Sequence, residues 1–167
     1  MCVAVDKSTI ERRFNARFAT AQQEFEPTYN AAPSQLLPII TTYAPNDIVL
    51  ARWGFVPEGW HNPKIRPQNN ARVETAAEKP MFRSSFSGRH CLVLTDGFYG
   101  WKTTGAHKQP YRFVLKSAEP FAMAGIYARG EGENDPMTVF DVGPATWTIS
   151  SRCSIRLKKF WLRQPRP

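Results

Sequence analysis

The sequence predicts an α+β fold that is mostly β-sheet, with a few short helices. Short stretches rich in Val, Ile, Phe and Tyr recur along the chain, and residues that favour turns separate them, as is typical of strands. Clear helical spacing occurs at Ile10, Phe14 and Phe18. With 167 residues the chain is long enough to bury one hydrophobic core, so we expect a single α+β domain.

Each element is predicted from local patterns. A helix over 9–18 begins at the capping box formed by Ser8 and Glu11. Strands over 37–43 and 48–53 flank a turn at Pro45-Asn46-Asp47 and predict a hairpin. A helical turn is predicted over 84–88, and the remaining strands are predicted over 89–94, 97–102, 111–115, 121–127, 137–142 and 146–149.

The net charge of +8 is concentrated at the end of the chain. Residues 150–167 hold six basic and no acidic side chains, and the other 149 residues hold 16 basic and 14 acidic ones. We therefore expect a domain over 1–149, followed by a basic tail over 150–167 outside the fold. Such a tail is typical of an arm that binds nucleic acid, or of a solvated, poorly ordered end.

Several protein classes are excluded by composition. No apolar run is long enough to span a bilayer and the N-terminus lacks a signal-peptide pattern, which predicts a soluble, cytoplasmic protein without a membrane partner. Three cysteines without CxxC spacing argue against a disulfide framework and against a zinc site. His61, His90 and His107 also lack the spacing of metal ligands. We expect no metal and no cofactor.

The dipeptide Met1-Cys2 is the first candidate for chemistry. If Met1 is removed, Cys2 carries a thiol and an α-amine on adjacent carbons, with reference pKa values near ~8.5 and ~7.7–8.0, so both groups would be partly nucleophilic at neutral pH. Such an aminothiol condenses with an aldehyde to form a thiazolidine ring. The alternative is that Cys2 is a small apolar residue at the start of a strand.

Polar and aromatic residues in the loops supply further candidates. Asn70 and Arg72 would face the same side of an extended segment and suit phosphate or sugar oxygens, unless they bond neighbouring loops. Trp60 could stack on a base or anchor its loop in the core. Asp96 and Glu74 could act in acid–base chemistry, or serve as turn caps and salt-bridge partners.

Taken together, an ordered series of motifs resembles the SOS-response-associated peptidase (SRAP) family, whose members process abasic sites in single-stranded DNA. The resemblance covers residues 1 to about 149 and is carried by Met1-Cys2, 29–33, 53–57, Trp60, 70–75, 91–101, 109–111 and 121–127.

The resemblance implies a fold, a reaction and a set of site residues. The fold would be a pseudo-barrel of strongly bent sheets with peripheral helices and a groove for DNA. After Met1 removal, Cys2 would form a thiazolidine with the aldehyde of an abasic site, and Asn70 would orient the reacting groups. Arg72 would contact phosphate, and Pro33 and Trp60 would pack near the displaced nucleotides. The partner would be single-stranded DNA containing abasic sites, bound by a monomer that associates with the nucleoid.

The chain also departs from the family pattern. Val3-Ala4 stands where the family has Gly-Arg, and Gly100 stands where it has an acid–base glutamate. The family's His-x-Arg motif is replaced by the basic tail, so we expect the C-terminal part to be missing or altered. The alternatives are a catalytically degenerate remnant that only binds single-stranded DNA, and a truncated product that folds poorly because its strand edges are unpaired.

Overall fold

The computed structural model describes residues 1–19, 25–59, 66–104, 107–130 and 138–143. It confirms an α+β fold made mostly of strands, with three short helices in the described residues. In chain order the elements are α1 (Lys7–Phe14), β1 (Arg17–Phe18), β2 (Leu36–Thr41), β3 (Asp47–Trp53), β4 (Asn70–Arg72), α2 (Val73–Ala76), α3 (Pro80–Phe86), β5 (His90–Thr95), β6 (Phe98–Thr104), β7 (His107–Phe113), β8 (Phe121–Ala128) and β9 (Thr138–Gly143).

The described strands form one large sheet and one separate hairpin. The large sheet has seven strands in the order β1-β3-β2-β5-β8-β9-β4, and β6 pairs with β7 alone. Strand β9 pairs with β8 and β4 and also with the end of β3, through Arg52↔Thr138 and Trp53↔Val139. Because β9 reaches back to β3, the sheet is strongly bent, as expected.

The core lies against the central strands. Strand β2 is buried over 37–41 and β5 buries Cys91, Val93 and Leu94, so these strands carry apolar side chains on both faces. Helix α1 adds Ile10 and Phe14 to the same core. Burying these side chains supplies the main favourable free energy of folding.

The N-terminal helix differs from its prediction at both ends. Asp6, not Ser8, is the N-cap: its carboxylate accepts a hydrogen bond from the Thr9 N–H at 2.7 Å, whereas the Ser8 hydroxyl donates to that same carboxylate. The helix ends at Phe14 because Asn15 adopts a left-handed conformation. Glu11 does not complete a capping box, because its carboxylate accepts from the Phe18 N–H.

Most other elements were predicted with shifted bounds. The hairpin of β2 and β3 is confirmed, with Ile40 paired to Ile48 across the turn. Residues 84–86 of the helical turn predicted over 84–88 form the end of α3 and 87–88 lie beyond it, and neither α2 nor the short strand β1 was predicted. The strand predicted over 146–149 and the tail over 150–167 lie outside the described residues. In the described part of the chain no helix is long and apolar enough to cross a membrane.

Candidate active site around Cys2

Backbone pairing on both sides holds Cys2 in an extended segment. Its N–H donates to the Gly97 carbonyl at 2.8 Å, and its carbonyl accepts from the Asp96 N–H at 3.0 Å. On the other side, Val3 and Thr28 exchange two backbone hydrogen bonds. Cys2 is 0% exposed. Cys2 is therefore buried in an extended segment, but its bridge to Gly97 lies outside the strands, and the chemistry depends on what surrounds the thiol.

The Cys2 thiol lies beside the buried carboxylate of Asp96, whose own N–H donates to the Cys2 carbonyl at 3.0 Å. Asp96 is 5% exposed and accepts two hydrogen bonds, from the Ala4 N–H to Oδ2 at 2.9 Å and from Arg112 Nη2 to Oδ1 at 3.3 Å. Asp96 therefore joins a nucleophile, a backbone amide and a cation. Asp96 is therefore a salt-bridge partner of Arg112, and its carboxylate is also near enough to Cys2 to act in acid–base chemistry.

This environment makes the thiol a weaker acid than the sequence suggests. Burial, then the hydrogen bond to Asp96 and its charge, raise the pKa of the Cys2 thiol to about 11, against opposing effects of Arg112 and the Ala4 N–H. With Met1 in place, roughly one thiol in 10,000 is ionised at pH 7 at such a pKa, and the partial ionisation expected after Met1 removal stays a prediction. Reaction of the thiol at neutral pH therefore needs a group that accepts its proton, and Asp96 is positioned to be that group.

Substituting Asp96→Asn is expected to lower the pKa of the Cys2 thiol from about 11. The substitution removes the carboxylate charge and the charged hydrogen-bond acceptor, while burial of the thiol remains. The measurement is the pH dependence of the Cys2 Cβ chemical shift in protein carrying isotope-labelled cysteine, assigned by its loss in Cys2→Ala. Arg112→Ala should move the same pKa upward, because it removes a cation. An unchanged pKa in Asp96→Asn would show that the carboxylate does not act on this thiol.

The loop that follows Thr28 is hydrogen-bonded to Met1, the residue before Cys2. The Met1 carbonyl accepts from the Ala31 N–H at 2.8 Å, and the Met1 ammonium donates to the Ala31 carbonyl at 3.1 Å. Pro33 follows in an exposed turn, which Trp53 fixes by accepting from the Ser34 N–H at 2.7 Å. Residues on either side of Pro33 therefore tie it both to the N-terminus and to the end of β3.

The same tryptophan leads to Asn70 and Arg72. The Trp53 indole N–H donates to the Asn69 carbonyl at 2.9 Å, immediately before β4. In β4, Asn70 and Arg72 are exposed and Ala71 is buried between them, so the two polar side chains share one side of the strand. Within the described residues no hydrogen bond joins either one to Cys2. Trp60 lies outside the described residues.

Gly100 lies on β6, opposite Tyr111 of β7. A Cβ atom at this position would be 2.7 Å from Phe113 Cε2, and Phe113 is 49% exposed. A carboxylate at position 100 would therefore enter space that the aromatic ring now fills, and the ring would have to move. In the described structure, the carboxylate at Cys2 belongs to Asp96.

Arg112 belongs to the candidate site, yet the sequence did not point to it. It lies 16 positions after Asp96, and only the hairpin of β6 and β7, with Tyr99 opposite Arg112, brings it to the site. No local motif marks it. Among the described residues, no group of His, Cys, Asp or Glu has the arrangement of a metal site.

Comparison with known proteins gives consistent results. The chain is 40% identical over 123 residues to the abasic site processing protein YobE of Bacillus subtilis, a match that covers 72% of this chain and 56% of that one. It is 34% identical over 102 residues to the abasic site processing protein HMCES of Xenopus tropicalis, which covers 53% of this chain and 30% of the relative. The chain thus spans about half the length of YobE.

Solved structures and a family model agree with these relatives. A crystal structure of a Bacteroides thetaiotaomicron protein superposes with a TM-score of 0.71 at 25% identity, covering 83% of this chain and 64% of that one. A Bordetella bronchiseptica structure at 22% identity, with a TM-score of 0.68, covers 83% of this chain and 68% of that chain and shows the same fold. The family model described as SOS response associated peptidase (SRAP) matches residues 1–155. The chain therefore belongs to the SRAP family.

Proposed function

We propose that this chain captures abasic sites in single-stranded DNA by forming a thiazolidine through Cys2 once Met1 has been removed. The observation that carries the proposal is a buried N-proximal thiol held beside a buried carboxylate: the Asp96 N–H donates to the Cys2 carbonyl at 3.0 Å, and the Asp96 carboxylate accepts from the Ala4 N–H at 2.9 Å. The names of the relatives, which describe abasic site processing, supply the substrate class. The cross-link would shield the lesion, which is a role in DNA damage repair.

Removal of Met1 would leave the two nucleophiles of Cys2 together. The new α-amine would replace the N–H that now donates to the Gly97 carbonyl at 2.8 Å. The Ala31 N–H would lose the Met1 carbonyl as its acceptor and become available to an oxygen of the sugar. The new ammonium group would also oppose the raised pKa of the neighbouring thiol, because a cation favours the thiolate.

The reaction balances with the groups present. The α-amine adds to the aldehyde carbon of the ring-opened sugar and, with loss of one water, forms a C=N bond. The thiol sulfur then adds to that carbon and closes the five-membered ring, while the S–H proton passes to Asp96. The electron pair of the C=N bond moves to nitrogen, which takes up a proton. The product is a thiazolidine, and neither metal nor oxidant takes part.

The surrounding residues are proposed to hold the strand. Asn70 would orient the aldehyde and Arg72 would contact a phosphate, an assignment supported by their exposure on the same side of β4. Pro33, in its exposed turn, would pack beside the displaced nucleotide together with Trp60. The exposed loop that contains Pro33 and strand β4 would then line the path of the DNA on either side of Trp53.

The direct test is to incubate the purified protein with single-stranded DNA that contains one abasic site. We expect a covalent species of slower mobility on a denaturing gel, and none with intact DNA of the same sequence. Intact mass spectrometry of the protein should show loss of Met1 in the molecules that react. Fully trimmed protein that gives no covalent species would contradict the proposal.

A second candidate function is non-covalent binding of single-stranded DNA by a catalytically degenerate member of the family. Gly100 favours it, because the position that the family resemblance assigns to an acid–base carboxylate has no side chain. This function predicts salt-sensitive binding to intact and abasic strands alike, without dependence on Cys2.

A further inference from the structure

Arg112 is a partly exposed cation beside the buried pair of Cys2 and Asp96. Its side chain is 37% exposed, and its Nη2 atom lies 3.3 Å from Asp96 Oδ1. The other carboxylate oxygen accepts from the Ala4 N–H at 2.9 Å. One end of the guanidinium therefore reaches the site, and part of the side chain is open to solvent.

The contacts of Arg112 leave room for a second anion. A guanidinium carries five N–H donors in a planar fork that suits bidentate binding of phosphate. The contact to Asp96 is made by one nitrogen to one oxygen at 3.3 Å, so it is not bidentate. The guanidinium carbon also lies 5.9 Å from the centre of the Tyr29 ring, and Tyr29 is itself 67% exposed. Arg112 is thus near both the buried carboxylate and an exposed aromatic residue.

The hairpin that carries Arg112 is complementary in charge to a nucleic acid. From Phe98 to Phe113 the sequence has Lys102, Lys108 and Arg112 and no acidic residue. The register pairs Tyr99 with Arg112 and Thr103 with Lys108, which places the two cations on the same face of the hairpin. A strand leaving the site along this face would meet positive charge at Arg112 first.

We propose that Arg112 binds the backbone phosphate next to the abasic sugar and so holds the aldehyde over Cys2, while it balances the charge of Asp96. The assignment rests on the proposed function and adds a phosphate site to it. The ligand is a phosphodiester of single-stranded DNA, recognised by charge and by hydrogen bonds to oxygen. Arg112 is a binding and positioning residue, because the bonds that form and break are those of Cys2.

The test compares cross-linking of abasic single-stranded DNA with the reaction of free 2-deoxyribose, which has the aldehyde but no phosphate. For Arg112→Ala we expect the DNA rate at subsaturating concentration to fall ~10-fold relative to the deoxyribose rate, which is the size of one charge-assisted hydrogen bond. The slope of log rate against log salt should become shallower by ~0.7, the value for one phosphate contact on a single strand. Arg83→Ala on α3 is the matched control and should change neither quantity.

A second variant covers the case in which loss of the side chain unfolds the protein. Arg112→Gln keeps much of the length and a hydrogen-bond donor but removes the charge, and it should show the same loss of slope. An unchanged salt slope and an unchanged ratio of DNA to deoxyribose rates in a folded Arg112 variant would overturn the assignment. Failure of the wild-type protein to cross-link would instead overturn the proposed function, so the two failures are distinguishable.

Discussion

Cys2→Ala is expected to abolish the covalent complex with abasic single-stranded DNA completely. Alanine retains the α-amine but lacks the sulfur that closes the ring, so the reaction stops at an imine, which water reverses during denaturation. Cys91→Ala is the matched control, because Cys91 is 1% exposed and Cys2 is 0% exposed. The control should form the complex at the wild-type rate, since Cys91 lies in β5 among core residues.

The measurement is the yield of the denaturation-resistant species over time, with non-covalent binding followed in parallel by fluorescence anisotropy. A complex that persists in Cys2→Ala would show that another nucleophile reacts. Equal, salt-sensitive binding of intact and abasic strands by both proteins, without any covalent species, would favour the second candidate function. The two assays together therefore separate a covalent trap from a simple binding protein.

The central strands were predictable because their signal is local. In β2 and β3 the apolar residues, the turn at 44–47 and the pairing of Ile40 with Ile48 all lie within 18 residues of chain. The start of α1 was predicted less well, because Asp6 and Ser8 both have side chains suited to capping and only the geometry decides between them. Phe18 continues the helical spacing, yet it belongs to β1 because Asn15 ends the helix first.

The candidate site was predictable only in part. Cys2 and the pair Asn70 and Arg72 were found by position and spacing, and the shared exposure of the pair on β4 follows from strand alternation. The contacts of Asp96 were not predictable, because Ala4 lies 92 positions before it in the chain. Arg112 reaches the same carboxylate through the register of a hairpin, which a single sequence does not specify.

Asp96→Asn is expected to slow cross-linking at neutral pH by ~10²-fold, at the lower end of what a positioned acid–base group contributes. The substitution has two opposing effects. It favours the thiolate, because it removes a neighbouring negative charge, but it also removes the group that accepts the S–H proton as the ring closes. Because burial, the largest cause of the raised pKa of the thiol, remains in the variant, we expect the thiol to stay mostly protonated at pH 7 and the second effect to dominate.

The cross-linking rate is expected to depend on pH differently in Asp96→Asn and in the wild-type protein. In Asp96→Asn the rate should rise about tenfold per pH unit below the thiol pKa, because hydroxide must remove the proton that Asp96 no longer accepts. The wild-type rate should rise less steeply, so the two curves approach each other at alkaline pH. Rates are measured by quenching abasic-DNA reactions across this range, with Asp47→Asn, an exposed residue of β3, as the control.

The Asp96→Asn variant is expected to fold, because the amide oxygen of the substituted side chain can still accept a hydrogen bond from the Ala4 N–H or from Arg112. A melting transition close to that of the wild type would show that the structure is retained. Equal rates for Asp96→Asn and wild type at neutral pH would contradict the proton-acceptor role. The expected outcome would mean that Asp96, which directly follows β5, supplies at Cys2 the carboxylate that Gly100 does not.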